Sequence, residues 1–205
     1  MALFREGESR GVAMGVVAAV CRQNSERKTA MAKRILAALG RPAAGATIAV
    51  LGLTFKPDTD DMREAPSLSI IPMLQEAGAS VRAYDPKGIE PARRLLPGVE
   101  LAEDAYRCAA NADALVIVTE WAEFRSLDLA RLKTVMKQPI VVDLRNIYDP
   151  QAMSAAGFDY RSLGRPGRSR VVVPQSVIPI ERRLCDLTAS AKVSLPTRRI
   201  AVARA

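Results

Sequence analysis

Lys56 and Arg63 stand on one polar stretch, Phe55-Lys-Pro-Asp-Thr-Asp-Asp-Met-Arg-Glu-Ala-Pro66. It follows the apolar run 47–52 and ends where Pro66 can open a helix. Cations at the carboxyl end of a strand and beside a helix start suit a phosphate or diphosphate. A third cation, Arg145, follows a second apolar run at 139–144. If the strands are parallel, their carboxyl ends share one edge of the sheet, where open α/β sheets bind ligands. Lys56 and Arg145 are then expected close together, though far apart in sequence. Phe55, Tyr84-Asp85-Pro86 and Thr119-Glu120-Trp121 fall on the same edge and add rings and hydrogen-bonding groups. The set reads as a nucleotide-diphosphate site.

Each of these residues also has a plainer reading. A lysine after a strand is usually solvated. Trp121 and Phe124 fit a hydrophobic lid over the sheet edge better than a base-stacking platform. Asp58, Asp60 and Asp61 are close enough to suggest a metal, but acids in a turn more often cap it, and the latter two could simply position Arg63. Asp143 reads as structural, bonding backbone at its strand end.

Absences narrow the chemistry further. The chain has no histidine, which removes Ser-His-Asp and Cys-His catalysis and most zinc sites. Cys21, Cys108 and Cys185 form neither a CxxC pair nor a disulfide framework, in keeping with a reducing cytoplasm. No catalytic residue is assigned. Gly52 stands without the rest of a GxGxxG fingerprint, so the usual dinucleotide cradle is missing. A receiver domain shares the strand-end layout, but no lone Asp ends a central strand and Arg145 stands where that domain needs Lys.

Alternating elements must position these groups. Residues 12–39 read as one long helix, with Met31, Ile35, Leu36 and Leu39 on one face and Arg27, Lys28, Lys33 and Arg34 largely off it. Strands are expected at 48–53, 79–84, 112–119, 139–144 and 158–163. Helices are expected at 66–77, 89–96, 104–110, 127–136 and 149–156. The near-continuous apolar run Ala114-Leu-Val-Ile-Val118 marks a strand buried on both faces. The pattern predicts an α/β fold: a doubly wound, Rossmann-like parallel sheet preceded by a long helix.

The bulk numbers are consistent with that. A 49% hydrophobic content over 205 residues can build a core, and no apolar run is long enough for a membrane span. The N-terminus has no secretory pattern. Of the net charge of +8, residues 166–205 carry +6. This segment is rich in Arg, Ser and Pro, holds no aromatic residue, and reads as an unfolded or fused basic tail. Basic residues without interleaved aromatics make nucleic-acid binding an unfavoured third reading.

Four motifs in order carry a family resemblance. They are Leu51-Gly-Leu-Thr-Phe-Lys-Pro-Asp-Thr-Asp-Asp-Met-Arg-Glu-Ala-Pro66, Tyr84-Asp-Pro86, Asp113-Ala-Leu-Val-Ile-Val-Thr-Glu-Trp121 and Val142-Asp-Leu-Arg-Asn-Ile-Tyr148. They resemble the C-terminal UDP-binding domain of the UDP-glucose/GDP-mannose dehydrogenases, in particular the bacterial UDP-glucose 6-dehydrogenase branch. The resemblance runs from about residue 11 to 165, and residues 11–39 look like the end of the family's interdomain helix.

The resemblance implies oxidation of a UDP-hexose to the uronic acid by the whole enzyme, with two NAD⁺. It implies that Phe55, Lys56 and Arg145 contact UDP-glucose or UDP-glucuronate and that Arg63 faces NAD. It implies three segments: an interdomain and dimerisation helix (1–44), a UDP-sugar-binding domain (45–165) and an unassigned tail (166–205). The family's NAD fingerprint and catalytic-cysteine loop have no counterpart here. The chain therefore reads as beginning just after the active-site loop, inactive alone, and dimeric through residues 12–39. The other reading is a stand-alone nucleotide-binding or regulatory module that works with a separate dehydrogenase.

Overall fold

The computed structural model describes residues 6, 7 and 9–165. The basic segment 166–205, with Cys185 and the expected tail, lies outside the described residues. Helix α1, Gly15–Ala38, leads into strand β1, Thr47–Leu51. Then come α2 (Ser67–Glu76), β2 (Ser80–Tyr84), α3 (Ile89–Leu95) and β3 (Glu100–Leu101). After them follow α4 (Ala105–Ala109), β4 (Ala114–Ile117), α5 (Ala122–Arg125), α6 (Leu129–Val135), β5 (Ile140–Asp143), α7 (Pro150–Ala155) and β6 (Asp159–Ser162). The six strands form one sheet in the order β3-β2-β1-β4-β5-β6, and every pair is parallel.

The core divides along the pleat, because successive strand residues point to opposite faces. Ile48 and Val50 of β1 join α1, α2 and α3 in one apolar layer. Ala49 and Leu51 join α4, α6 and α7 in the other. The central strands β1 and β4 are buried on both faces, with Leu51, Leu115, Val116 and Ile117 fully enclosed. This is the expected doubly wound sheet.

Three short helices start where an aspartate satisfies their first amides. Asp104 accepts from Arg107 N–H, Asp128 from Ala130 and Arg131, and Asp149 from Gln151 and Ala152. Two elements were not expected from sequence. Strand β3 is only two residues long, too short for a periodic signal, and extends the sheet edge through Ala102 N–H to Ala83 O at 2.9 Å. Helix α5 is a single turn inside the stretch read as a lid.

Helix α1 is docked along its second half only. Ala32, Ile35, Ala38 and Leu39 are buried there, with Met31 and Leu36 packed alongside. Two cations expected off this face are engaged instead. Lys28 Nζ donates to Glu64 O at 3.1 Å and Arg34 Nη2 to Ser162 O at 2.6 Å. Both have stems long enough to lie along the apolar seam while their heads reach a carbonyl beyond it. Toward the N-terminus, Val12, Val16 and Val20 recur every four residues and are exposed at 57%, 80% and 53%. No helix among the described residues is long and apolar enough to cross a membrane.

Candidate functional site

The chain runs from β1 outward to β2 on one side and later restarts at β4 on the other. The crevice beyond the carboxyl ends of β1 and β4 is therefore the point where an open sheet binds ligands. Gly52 sets its depth. Its φ is +90°, and a Cβ there would meet Thr119 Cβ at 2.5 Å and Thr119 N at 2.6 Å. Only glycine lets the two strand ends approach so closely. Gly52 N–H makes one more bond, to Tyr84 O at 2.9 Å, and then the chain leaves the sheet.

It leaves because Asp85 captures the next amides. The Asp85 carboxylate is fully buried at the end of β2. Its Oδ2 accepts from Leu53 N–H (2.7 Å), Thr54 N–H (3.1 Å), the Thr54 hydroxyl (3.1 Å) and the Trp121 indole N–H (3.1 Å). Its Oδ1 accepts from Lys87 N–H (3.0 Å) and Gly88 N–H (2.7 Å). A buried carboxylate needs such a ring of donors to offset its lost hydration. Strand β1 thus stops at Leu51, two residues short of the strand expected over 48–53. The sequence reading placed Asp85 on this edge without its role, since nothing local signals donors from three loops.

The loop after β1 then folds back, with Phe55 N–H donating to Asp61 O at 2.9 Å. Phe55 is 54% exposed and Lys56 is exposed. The Lys56 side chain makes no hydrogen bond or ion pair to any described residue. Arg63 is also exposed and forks onto Asp61, at 3.0 Å from Nε and 2.7 Å from Nη2. These bonds hold the Asp61 carboxyl down at about 2. Asp61 thus positions Arg63. The described residues contain no cluster of acids, cysteines or histidines fit for a metal.

Across the crevice, Asp143 anchors the loop that carries Arg145. It accepts from the N–H groups of Arg145 (2.9 Å), Ile147 (2.8 Å) and Tyr148 (3.2 Å) and from the Tyr160 hydroxyl (2.7 Å). This is the structural role expected for it. The Arg145 guanidinium forks onto Glu120, with Nη2 to Oε1 at 2.7 Å and Nε to the other oxygen. That pairing holds the Glu120 carboxyl below its ordinary 4.5. Asn146 sits at φ +56° and exchanges two bonds with the Leu163 backbone.

Beside Arg145 lies an open cleft of about 530 Å³, whose lining includes Arg27, Arg125 and Asn146 as well as Glu120. Sequence reasoning missed Arg27 and Arg125 beside Arg145, because they come from the middle of α1 and from the unforeseen α5. Lys56 and Arg145 are on the same sheet edge, but Lys56 does not line this cleft. Trp121 and Phe124 are buried core, 5% and 0% exposed. Cys108 is buried too, and its burial pushes the thiol up to about 12. A thiol so hard to ionise is a poor nucleophile.

Comparisons with known proteins identify the family. Residues 49–150 match the model of the UDP-glucose/GDP-mannose dehydrogenase family, UDP binding domain. The chain is 49% identical over 166 residues to UDP-glucose 6-dehydrogenase of Rhizobium meliloti, covering 81% of this chain and 38% of that protein. It is 42% identical to UDP-glucose 6-dehydrogenase TuaD of Bacillus subtilis, over 80% of this chain and 36% of that one. Among solved structures, a UDP-glucose dehydrogenase from Pyrobaculum islandicum superposes with a TM-score of 0.60 at 34% identity, covering 69% of this chain and 31% of that chain. The chain thus spans about a third of the length of these relatives. Through residues 49–150 it belongs to the UDP-glucose/GDP-mannose dehydrogenase family, as the UDP-binding domain of that family.

Proposed function

We propose that this chain is the UDP-sugar-binding portion of a UDP-glucose 6-dehydrogenase. It holds UDP-glucose or UDP-glucuronate at the carboxyl edge of its sheet. The observation that carries the reading is the arginine-lined cleft at Arg145, at the carboxyl ends of β4, β5 and β6 in a domain of this family. In this reading Lys56 and Arg145 neutralise the diphosphate, and Phe55 packs against the nucleotide or sugar. Exposed cations on rigid strand ends suit this task, because little ordering is left to be done when the anion arrives.

The whole enzyme would take two hydrides from the sugar with NAD, but this sheet does not fit a dinucleotide. Its crevice lacks the glycine cradle, and the Asp85 carboxylate there is already filled by the protein's own amides. Arg63 is the one group proposed to face NAD, from a cofactor site formed elsewhere. The chain alone is expected to produce no NADH from UDP-glucose and NAD⁺. Self-association through residues 12–39 belongs to the same proposal, since the exposed valine row of that segment is left uncovered.

Calorimetric titration with UDP tests the site. A charge-assisted hydrogen bond contributes roughly 1.5–3 kcal/mol, so Lys56→Ala and Arg145→Ala are each expected to weaken binding about tenfold or more. Arg63→Ala leaves UDP affinity nearly unchanged. Equal losses from Arg63→Ala and Lys56→Ala would show that the division of roles is wrong. No binding of UDP to the wild-type chain would sink the reading.

A further inference from the structure

Glu120 is the side chain that a diphosphate site leaves unexplained. A carboxylate beside an anion site opposes binding, yet both of its oxygens are turned to the arginine of that site. The pair is only partly exposed, 28% for Glu120 and 36% for Arg145. The backbone of Glu120 is held on both sides. Its neighbour Thr119 donates from Oγ1 to Thr54 O at 2.7 Å, and its neighbour Trp121 donates to Asp85 at 3.1 Å. Thr54 is two residues before Lys56 on the same loop, and its carbonyl is the acceptor of that Thr119 hydroxyl. Two hydrogen bonds, joined by short stretches of backbone, therefore lead from the Lys56 loop through Thr54, Thr119 and Glu120 to the Arg145 guanidinium. They cross the ends of β1, β4 and β5. At the far end the Arg145 backbone is tied down by Asp143 at 2.9 Å.

An arginine side chain free in solution has many rotamers, and fixing them at the moment of binding opposes association. Glu120 takes Nε and one Nη2 hydrogen, which fixes the plane of the fork. The Nη1 hydrogens and the outer Nη2 hydrogen are left for a ligand. We propose that Glu120 is a positioning residue: it sets the Arg145 guanidinium in register with the Lys56 loop, so that the diphosphate site is assembled before any ligand arrives. This rests on the reading of the edge as a diphosphate site.

The test is a double-mutant cycle on the whole chain, with UDP as the probe in calorimetry. Glu120→Ala is expected to weaken UDP binding about tenfold. In an Arg145→Ala background the same substitution is expected to change affinity less than about twofold. An equal loss in both backgrounds overturns the proposal, because Glu120 would then act through something other than Arg145. Tighter binding by Glu120→Ala also overturns it, because the carboxylate would then compete with the ligand. A second readout needs no ligand. The Arg145 Nε–H resonance in nitrogen-edited NMR is expected to exchange slowly with water in the wild type and rapidly in Glu120→Ala. Rapid exchange in the wild type overturns the proposal. A wild type that does not bind UDP is a failure of the diphosphate reading, and the Nε–H signal then still decides whether Glu120 fixes the guanidinium.

Discussion

The indole N–H of Trp121 donates to the Asp85 carboxylate at 3.1 Å, and the two residues come from turns on either side of β1. Their bond passes over the end of that strand and ties the turn after β4 to the turn after β2. The Phe55–Lys56 loop leaves the sheet beneath this tie. The exposed loop therefore has a rigid base.

Asp85→Asn removes that base. An amide has one acceptor oxygen, so the donors at the other position, such as Lys87 and Gly88 N–H, face an NH₂ group instead. Each buried donor left unsatisfied costs about 1–3 kcal/mol, so a loss of about 2–5 kcal/mol is expected in urea denaturation. Trp121 is the only tryptophan, so its emission reports the change directly. A red shift at low denaturant is expected. A variant with wild-type stability and emission would contradict the assignment of Asp85 as the hub.

Gly52→Ala tests the close approach of β1 to β4. The new methyl carbon would sit 2.5 Å from Thr119 Cβ at a backbone φ of +90°. Strain and overlap together are expected to cost about 2–4 kcal/mol. UDP affinity should fall as well, because Thr119 is displaced from Thr54 and Glu120 moves with it. Thermal unfolding and titration read the two effects separately.

Cys108 gives the stability a dependence on alkaline pH. Burial first of all raises its thiol from 9.0 to about 12 in the folded chain. Below pH 9.0 both states keep the proton and stability does not depend on this group. Between there and about 12 the unfolded chain releases the proton while the folded chain keeps it. Stability is then lost as pH rises, at up to about 1.4 kcal/mol per unit. Tyr148 and Tyr160, both raised above 10.0 chiefly by burial, add to the loss at higher pH. Cys108→Ala should therefore move the onset of the alkaline limb from about pH 9 to about pH 10. An unchanged onset in urea titrations across this range would contradict the assignment.

Val16 tests self-association. It is the most exposed of the three valines on the undocked segment. Sedimentation at micromolar concentration is expected to show a dimer for the wild type and a monomer for Val16→Glu, because a buried charge without a partner is costly. A monomeric wild type would remove residues 12–39 as an interface.

Much of the fold was legible because the signal was long and unmixed. Ala114-Leu-Val-Ile-Val118 could only be a buried strand, and the aspartates at 104 and 149 marked helix starts that the structure places one residue later. Strand β3 escaped because two residues carry no period, and α5 because a single turn has none either. At the site, Lys56 and Arg145 were legible as cations at strand ends. The bond pattern around them was not. Asp85 resembled any acid in a turn until Leu53, Thr54 and Trp121 were brought to it. Glu120 was legible only as a hydrogen-bonding group on the edge, and its pairing with Arg145 needed β5 to place the two side by side.

The capture of the Leu53 and Thr54 amides by Asp85 has a consequence for redesign. The crevice of this sheet is already liganded, and the ligand is the protein's own backbone. Grafting a glycine fingerprint onto residues 52–57 would not convert the domain to a dinucleotide binder. The incoming ribose would have to evict two amides, a hydroxyl and an indole before it met a free oxygen. On the proposed reading, discrimination against dinucleotides is expected to rest on this occupancy and to persist in variants that keep Asp85.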